Sequence, residues 1–178
     1  MIEDQVAPKR CGHTQGKAVV SFAEAVNRVR AAVDAREEGS DILVMARTDS
    51  NATDGLDDAI ARCKAFRDVG ADITFLEAPK EISEMERYCN EVSGPKMANM
   101  VENGATPVLT PAELQELGYS IALYPVTTLR ASIRAQQAAL RQLIDGSLVS
   151  DEDLITFDEL QDIVGFKQYF KDEVKYSE

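Results

Sequence analysis

The stretch 41-DILVMARTD-49 decides how this chain is read. Ile42 to Ala46 is apolar at every position, as a strand covered on both faces is and a half-solvated strand is not. The run then ends in Arg47 and Asp49, a cation and a carboxylate that a plain core does not require. The same form recurs at 71-ADITFLEAP-79 with Glu77, at 96-KMANM-100 with Asn99, and at 119-YSIALYP-125 with Tyr124. A very short strand at the start of the chain ends near Glu3.

Helical patterns fill the gaps. Ser21 and Glu24 read as a capping box opening a helix, with Phe22, Ala25, Val26, Val29 and Val33 in helical period. Asp57 to Asp68 reads as a helix closed by Gly70, and Glu81 to Val92 as one ended by Gly94-Pro95. Thr110, Pro111 and Glu113 start another that Gly118 stops, and Thr127 to Ile144 is a long helix. Strand, loop and helix therefore alternate in five βα units, which predicts an α/β fold with a parallel sheet. The acidic tail from Ser150 to Tyr176 reads as two short helices broken at Gly165. Their apolar faces carry Phe157, Leu160, Ile163, Val164, Phe166, Tyr169 and Phe170. Packing on their own domain and docking on a neighbouring subunit both fit that pattern. The expected division is 1–146 for the βα part and 147–178 for a helical arm.

The net charge of -12 over 178 residues argues against nucleic acid and anionic membrane as partners. It does not exclude a small anionic substrate, because local arginines and a metal reverse the sign inside a pocket. No apolar run approaches the roughly 20 residues of a membrane span, and the N-terminus has no signal-peptide core. Cys11, Cys63 and Cys89 are odd in number and form no CxxC pair, so a reduced, cytoplasmic protein is expected.

Functional side chains gather at the C-terminal ends of parallel strands. Here those ends supply Glu3, Asp4 and Gln5, then Arg47 and Asp49, Glu77, Asn99 with Glu102, and Tyr124 with Thr127 and Thr128. Such a rim suits a divalent cation and an oxygen-rich anion. Cys11 and His13 lie in the loop after the first strand, where Lys9, Arg10 and His13 favour a thiolate or a proton donor of moderate pKa. An ordinary buried thiol beside a surface histidine is the plain alternative. Cys63 and Cys89 sit at apolar helical positions and read as structural. No nucleophile elbow, P-loop or dinucleotide fingerprint is present in the sequence.

The segments IEDQ, KRCGH, VMARTD, FLEAP, ANMVENGATP and ALYPVTTLRA, in this order between Ile2 and about Arg130, resemble the isocitrate lyase/phosphoenolpyruvate mutase superfamily. FLEAP with NMVENGATP is most similar to its dimethylmalate lyase, oxaloacetate hydrolase and carboxyphosphonoenolpyruvate mutase branch, with methylisocitrate lyases a little further off. The resemblance implies a (β/α)8 TIM-type barrel, of which this chain carries about the last five units, and a C-terminal helical arm swapped between subunits of a homo-oligomer (dimer or tetramer). It implies Glu3 as a Mg2+ contact (Mn2+ as a substitute), and Lys9 and Cys11 as the catalytic pair of a mobile loop shaped by Gly12 and His13. Arg47, Glu77 and Asn99 would bind a di- or tricarboxylate substrate. The activity implied is Mg2+-dependent carbon–carbon cleavage of a 2-hydroxy or 2-oxo dicarboxylate through an enolate-like intermediate. A mutase or hydrolase of the same superfamily, or a catalytically inactive oligomerisation subunit, are the alternatives. The family's first three βα units, with their Mg2+-binding aspartates, have no counterpart here, so the chain is expected to be a fragment or a truncated relative. Its open strand edge is expected to favour association.

Overall fold

The computed structural model describes residues 1–10 and 16–177. Two compact units are present, Met1–Thr127 and Thr128–Glu178. The first holds five strands, β1 (Ile2–Glu3), β2 (Met45–Thr48), β3 (Ile73–Leu76), β4 (Met97–Asn99) and β5 (Ile121–Leu123). Strands β1, β2 and β3 pair in parallel, as do β4 and β5. A parallel bridge between Thr74 and Lys96 joins the two groups, so the strands lie in chain order. Helices α1 (Phe22–Glu37), α2 (Leu56–Asp68), α3 (Ile82–Glu91) and α4 (Pro111–Leu117) make the crossovers. Five successive parallel strands and their four crossover helices form part of a TIM-type barrel wall, with the parallel order that the alternation predicts and the barrel that the resemblance implies.

The helix ends follow their capping residues. Thr110 and Glu113 form a full capping box, and Gly118 closes α4 in the left-handed conformation at φ 105°. At α1 only half of the expected box forms. Ser21 accepts the Glu24 N–H at 3.2 Å, while the Glu24 carboxylate takes Arg28 at 2.6 Å. An arginine one turn on competes for that carboxylate with a charge that the backbone N–H lacks.

Side chains alternate across the strands. Met45, Ile73, Phe75 and Met97 cluster on one face. Ala46, Leu76 and Ala98 face the helices, where they meet Val29, Val33 and Phe66 or Ile60, Cys63, Met85 and Tyr88. The apolar run at Ile42 is shorter as a strand than it reads. β2 begins only at Met45, and Ile42 and Leu43 are 58% and 71% exposed. The chain enters the sheet at Val44, whose N–H donates to Asp72 Oδ2 at 2.7 Å.

Within the helix layer the Tyr88 hydroxyl meets Thr74 Oγ1 at 2.7 Å, both side chains fully buried. Tyr88→Phe leaves the threonine hydroxyl unpaired in a dry core. It is expected to cost about 1–3 kcal/mol, read as a lower urea midpoint at unchanged slope.

The second unit contains most of α5 (Thr127–Ile144) with α6 (Phe157–Ile163) and α7 (Phe166–Tyr176). Gly165 breaks α6 from α7 in the left-handed conformation, at φ 80°. None of the three helices has a buried residue, and Phe157, Ile163, Val164, Phe166, Tyr169 and Phe170 are all exposed. Compactness thus groups α5 with the tail, whereas the division expected from sequence falls after it. No described helix is long and apolar enough to cross a membrane.

Candidate active site

The alternation of strands sorts the polar strand ends. Glu3 pairs in register with Arg47, and Arg47 with Phe75. Glu77 and Asn99 have the phase of Phe75 and Met97, so Glu3, Arg47, Glu77 and Asn99 share one face at the C-terminal strand ends. Arg47 is buried at their centre. Its Nε lies 3.6 Å from Glu3 Oε2, and its Nη1 lies 3.3 Å from Glu77 Oε2. Asp49 takes Nε at 2.8 Å and Nη2 at 2.9 Å, and the guanidinium lies over the Phe75 ring at 4.9 Å. Burial disfavours the charge on Arg47. The Asp49 hydrogen bonds and the charges of Glu77, Asp49 and Glu3 more than offset it, holding the guanidinium above its ordinary value.

Asn99 Nδ2 sits 3.4 Å from each Glu77 oxygen, a long and shared donation. Its Oδ1 is buried without a hydrogen-bond partner among the described residues, as are Glu3 Oε2 and Thr106 Oγ1. Lys9 Nζ contacts Glu3 Oε1 at 2.7 Å, from a half-exposed position. Gln5 clasps the next residue. Its amide donates to the Arg10 carbonyl at 3.0 Å and accepts the Arg10 N–H at 2.9 Å, closing the turn from residue 5 to residue 10. Cys11, Gly12 and His13, expected in the loop after the first strand, lie outside the described residues.

Three other strand-end groups have structural surroundings instead. Asp4 has the opposite phase to Glu3, so it faces the helices, fully buried. Thr48 Oγ1 donates to it at 2.6 Å and Arg62 Nη1 at 3.2 Å. Tyr124 donates to the Leu109 carbonyl at 2.6 Å, and Glu102 accepts from Thr127. Cys63 is fully buried and Cys89 partly so. Burial pushes the Cys63 thiol far up and the Cys89 thiol up to about 11, which leaves both poor nucleophiles.

Asp49, expected on the rim at the same strand end as Arg47, pairs with its guanidinium, whereas Lys17 and Phe75 are neighbours of the site that the sequence reading did not name. The Lys17 side chain is buried, with Nζ 3.9 Å from Asp49 Oδ1. Phe75 was open to inference, since it is the register partner of Arg47. A cleft lined by Pro111, Leu114, Tyr119 and Ala122 lies at the β5 edge and includes none of these charged groups. Among the described residues no group of three or more His, Cys, Asp and Glu side chains is placed to hold a metal ion. Glu3, with one buried oxygen that accepts no hydrogen bond among the described residues, fits a single oxygen contact.

Parallel βα units thus gather an arginine and carboxylates on one rim at the C-terminal ends of the strands. The chain belongs to the phosphoenolpyruvate phosphomutase family, whose profile matches residues 1–144, within the PEP mutase/isocitrate lyase superfamily. It is 40% identical to the 2-methylisocitrate lyase of Aeropyrum pernix over 178 residues, 99% of this chain and 57% of that protein. It superposes on the crystal structure of 2,3-dimethylmalate lyase with a TM-score of 0.88 at 40% identity, covering 98% of this chain and 58% of the other. A phosphonopyruvate hydrolase solved with oxalate and Mg2+ matches at a TM-score of 0.79 and 25% identity, over 98% and 61% of the two chains. The chain thus spans little more than half the length of the proteins it matches.

Proposed function

We propose that the chain carries part of the active site of a Mg2+-dependent lyase that cleaves a carbon–carbon bond in a 2-hydroxy or 2-oxo dicarboxylate. The observation that carries this reading is Arg47, buried and oriented at the centre of the rim between Glu3, Glu77 and Asp49. Membership of the family, and the lyases among its similar proteins, supply the reaction class.

In this reading Arg47 binds a substrate carboxylate and the oxygen on which negative charge develops as the bond breaks. A preoriented cation in a dry site lowers that barrier without having to reorganise. Glu77 holds Arg47 from the side and hydrogen-bonds the bound substrate, and Asn99 completes the grip on a carboxylate. Glu3, whose Oε2 accepts no hydrogen bond among the described residues, would contact the metal, mostly through water. A bound Mg2+ supplies Lewis-acid stabilisation of the developing negative charge, and Mn2+ is the natural substitute. The hydroxyl proton of the substrate leaves to a base as the carbon–carbon electrons pass into the enolate. Cys11 returns a proton to the enolate carbon, paired with Lys9, while Gly12 and His13 shape the loop that excludes water.

The test is a panel of 2-methylisocitrate, 2,3-dimethylmalate and oxaloacetate with Mg2+, followed as pyruvate, succinate or oxalate. Metal-dependent pyruvate from either of the first two is expected. Oxalate from oxaloacetate alone would move the chain to the hydrolase reading, and no product from any of them would overturn the lyase. Cys11→Ser is expected to abolish turnover while oxalate still binds with Mg2+. Full turnover in that variant would remove the cysteine from the mechanism.

The exposed aromatic faces of α6 and α7 support a second element of the proposal, a homo-oligomer formed through residues 147–178. Light scattering on the whole chain is expected to give a dimer or tetramer, and Phe166→Glu with Phe170→Glu to shift it to monomer. The unbridged thiols of Cys63 and Cys89 support a reducing, cytoplasmic setting.

A further inference from the structure

We propose that Asp49 is the positioning residue for Arg47, fixing which edge of the guanidinium is offered to a ligand. The proposal deepens the reading of Arg47 as a carboxylate-binding group and rests on it for its functional meaning. Asp49 follows Arg47 by two residues at the end of β2, so both side chains leave the same face. It is fully buried and accepts side-on, Nε to Oδ2 at 2.8 Å and Nη2 to Oδ1 at 2.9 Å. A single contact would let the guanidinium swing about it, whereas two parallel bonds fix its rotation. Phe75, beneath the plane at 4.9 Å, fixes its tilt. With Nε and one Nη2 hydrogen committed to Asp49, the second fork, formed by Nη1 and the other Nη2 hydrogen, is turned away from it. Glu77 sits on that side, 3.3 Å from Nη1.

Asp49 is itself held from below. Its backbone N–H donates to Asp4 Oδ1 at 2.9 Å, and Asp4 is anchored by Thr48 and Arg62. The orientation of Arg47 is therefore tied through Asp49 to the buried layer between β1, β2 and α2. The chemistry of the pair makes the carboxylate specific. Asparagine keeps one acceptor but points an NH2 at one of the two guanidinium nitrogens.

The experiment has a spectroscopic arm and a binding arm. In the 15N–1H spectrum of the whole chain, the Arg47 Nε–H is expected to exchange with water far more slowly than that of exposed Arg30. It is expected to keep that protection in Glu77→Gln and lose it in Asp49→Asn. Fast exchange in the wild type, or unchanged protection in Asp49→Asn, overturns the proposal. The wild-type measurement needs no variant to fold, and Asp49→Glu, which keeps the charge but displaces it, is expected to shift the same signal. In the binding arm, oxalate with Mg2+ is the probe. Asp49→Asn is expected to weaken it about tenfold or more, but less than about twofold in an Arg47→Lys background, because coupled residues do not add. Equal losses in both backgrounds would mean a merely structural role. Loss of the protected signal in Asp49→Asn, in a wild type that binds no oxalate, would leave the positioning intact and refute the proposed ligand chemistry.

Discussion

Arg47→Lys is expected to weaken binding of oxalate in the presence of Mg2+ by about 10- to 150-fold, with the chain still folded. The charge is kept, so Glu3, Asp49 and Glu77 retain a buried cation and the rim does not collapse through repulsion. The geometry is not kept. An ammonium has three donors on one atom and no planar fork. It cannot span both Asp49 oxygens, approach Glu77 and still offer a paired donor to a ligand. Losing one charge-assisted bond costs about 1.5–3 kcal/mol, and about 1.4 kcal/mol is tenfold in affinity, which gives the range. Arg47→Ala is a poorer test, since it strands Asp49 and Glu77 without their cation and confuses binding with folding. Calorimetric titration measures the effect. A lysine variant that binds within threefold of wild type would show that the fork is not what the ligand meets.

The elements and the shared face of the site were legible in the sequence because local rules determine them. Capping at Thr110 and Ser21, and glycine stops at Gly118 and Gly165, depend on groups within a few residues of one another. The strand phase that brings Glu3, Arg47, Glu77 and Asn99 to one face follows from period two. What was not legible depends on partners far along the chain. Asp4 reads as part of the rim beside Glu3, but adjacent strand residues face opposite ways, and its partners Thr48 and Arg62 lie 44 and 58 positions away. The same holds at Ile42 and Leu43. An apolar run implies burial only where something covers it, and these two precede the point at which β2 joins its neighbours. The tail helices were legible as helices, while their apolar faces were not assignable to a partner from pattern alone.

Arg62→Leu is expected to destabilise the first unit by about 3–5 kcal/mol at pH 7, the cost of breaking a buried ion pair from one side. Arg62 is buried with Nη1 3.2 Å from Asp4 Oδ2 and 3.0 Å from the Val20 carbonyl. Its Nε bond to the half-buried Asp58, at 2.6 Å, and its contact with Phe22 are smaller losses. Without Arg62 the Asp4 charge keeps Thr48 and the Asp49 N–H but has no cation against it. The pH dependence separates this cause from lost packing. Burial already holds Asp4 above its ordinary 3.8, against the bonds from Thr48 and Asp49 and the charge of Arg62. Removing Arg62 raises it further. Between 3.8 and the raised value the folded chain binds more protons than the unfolded one, so stability falls as pH rises through that window and levels off above it. The deficit of Arg62→Leu against wild type should therefore be largest at neutral pH and shrink on acidification toward 3.8. Adding Asp4→Asn removes the stranded charge and should return part of the loss at pH 7. Urea midpoints measured across that range decide it, and a deficit that does not change with pH would assign the loss to packing rather than to the stranded carboxylate.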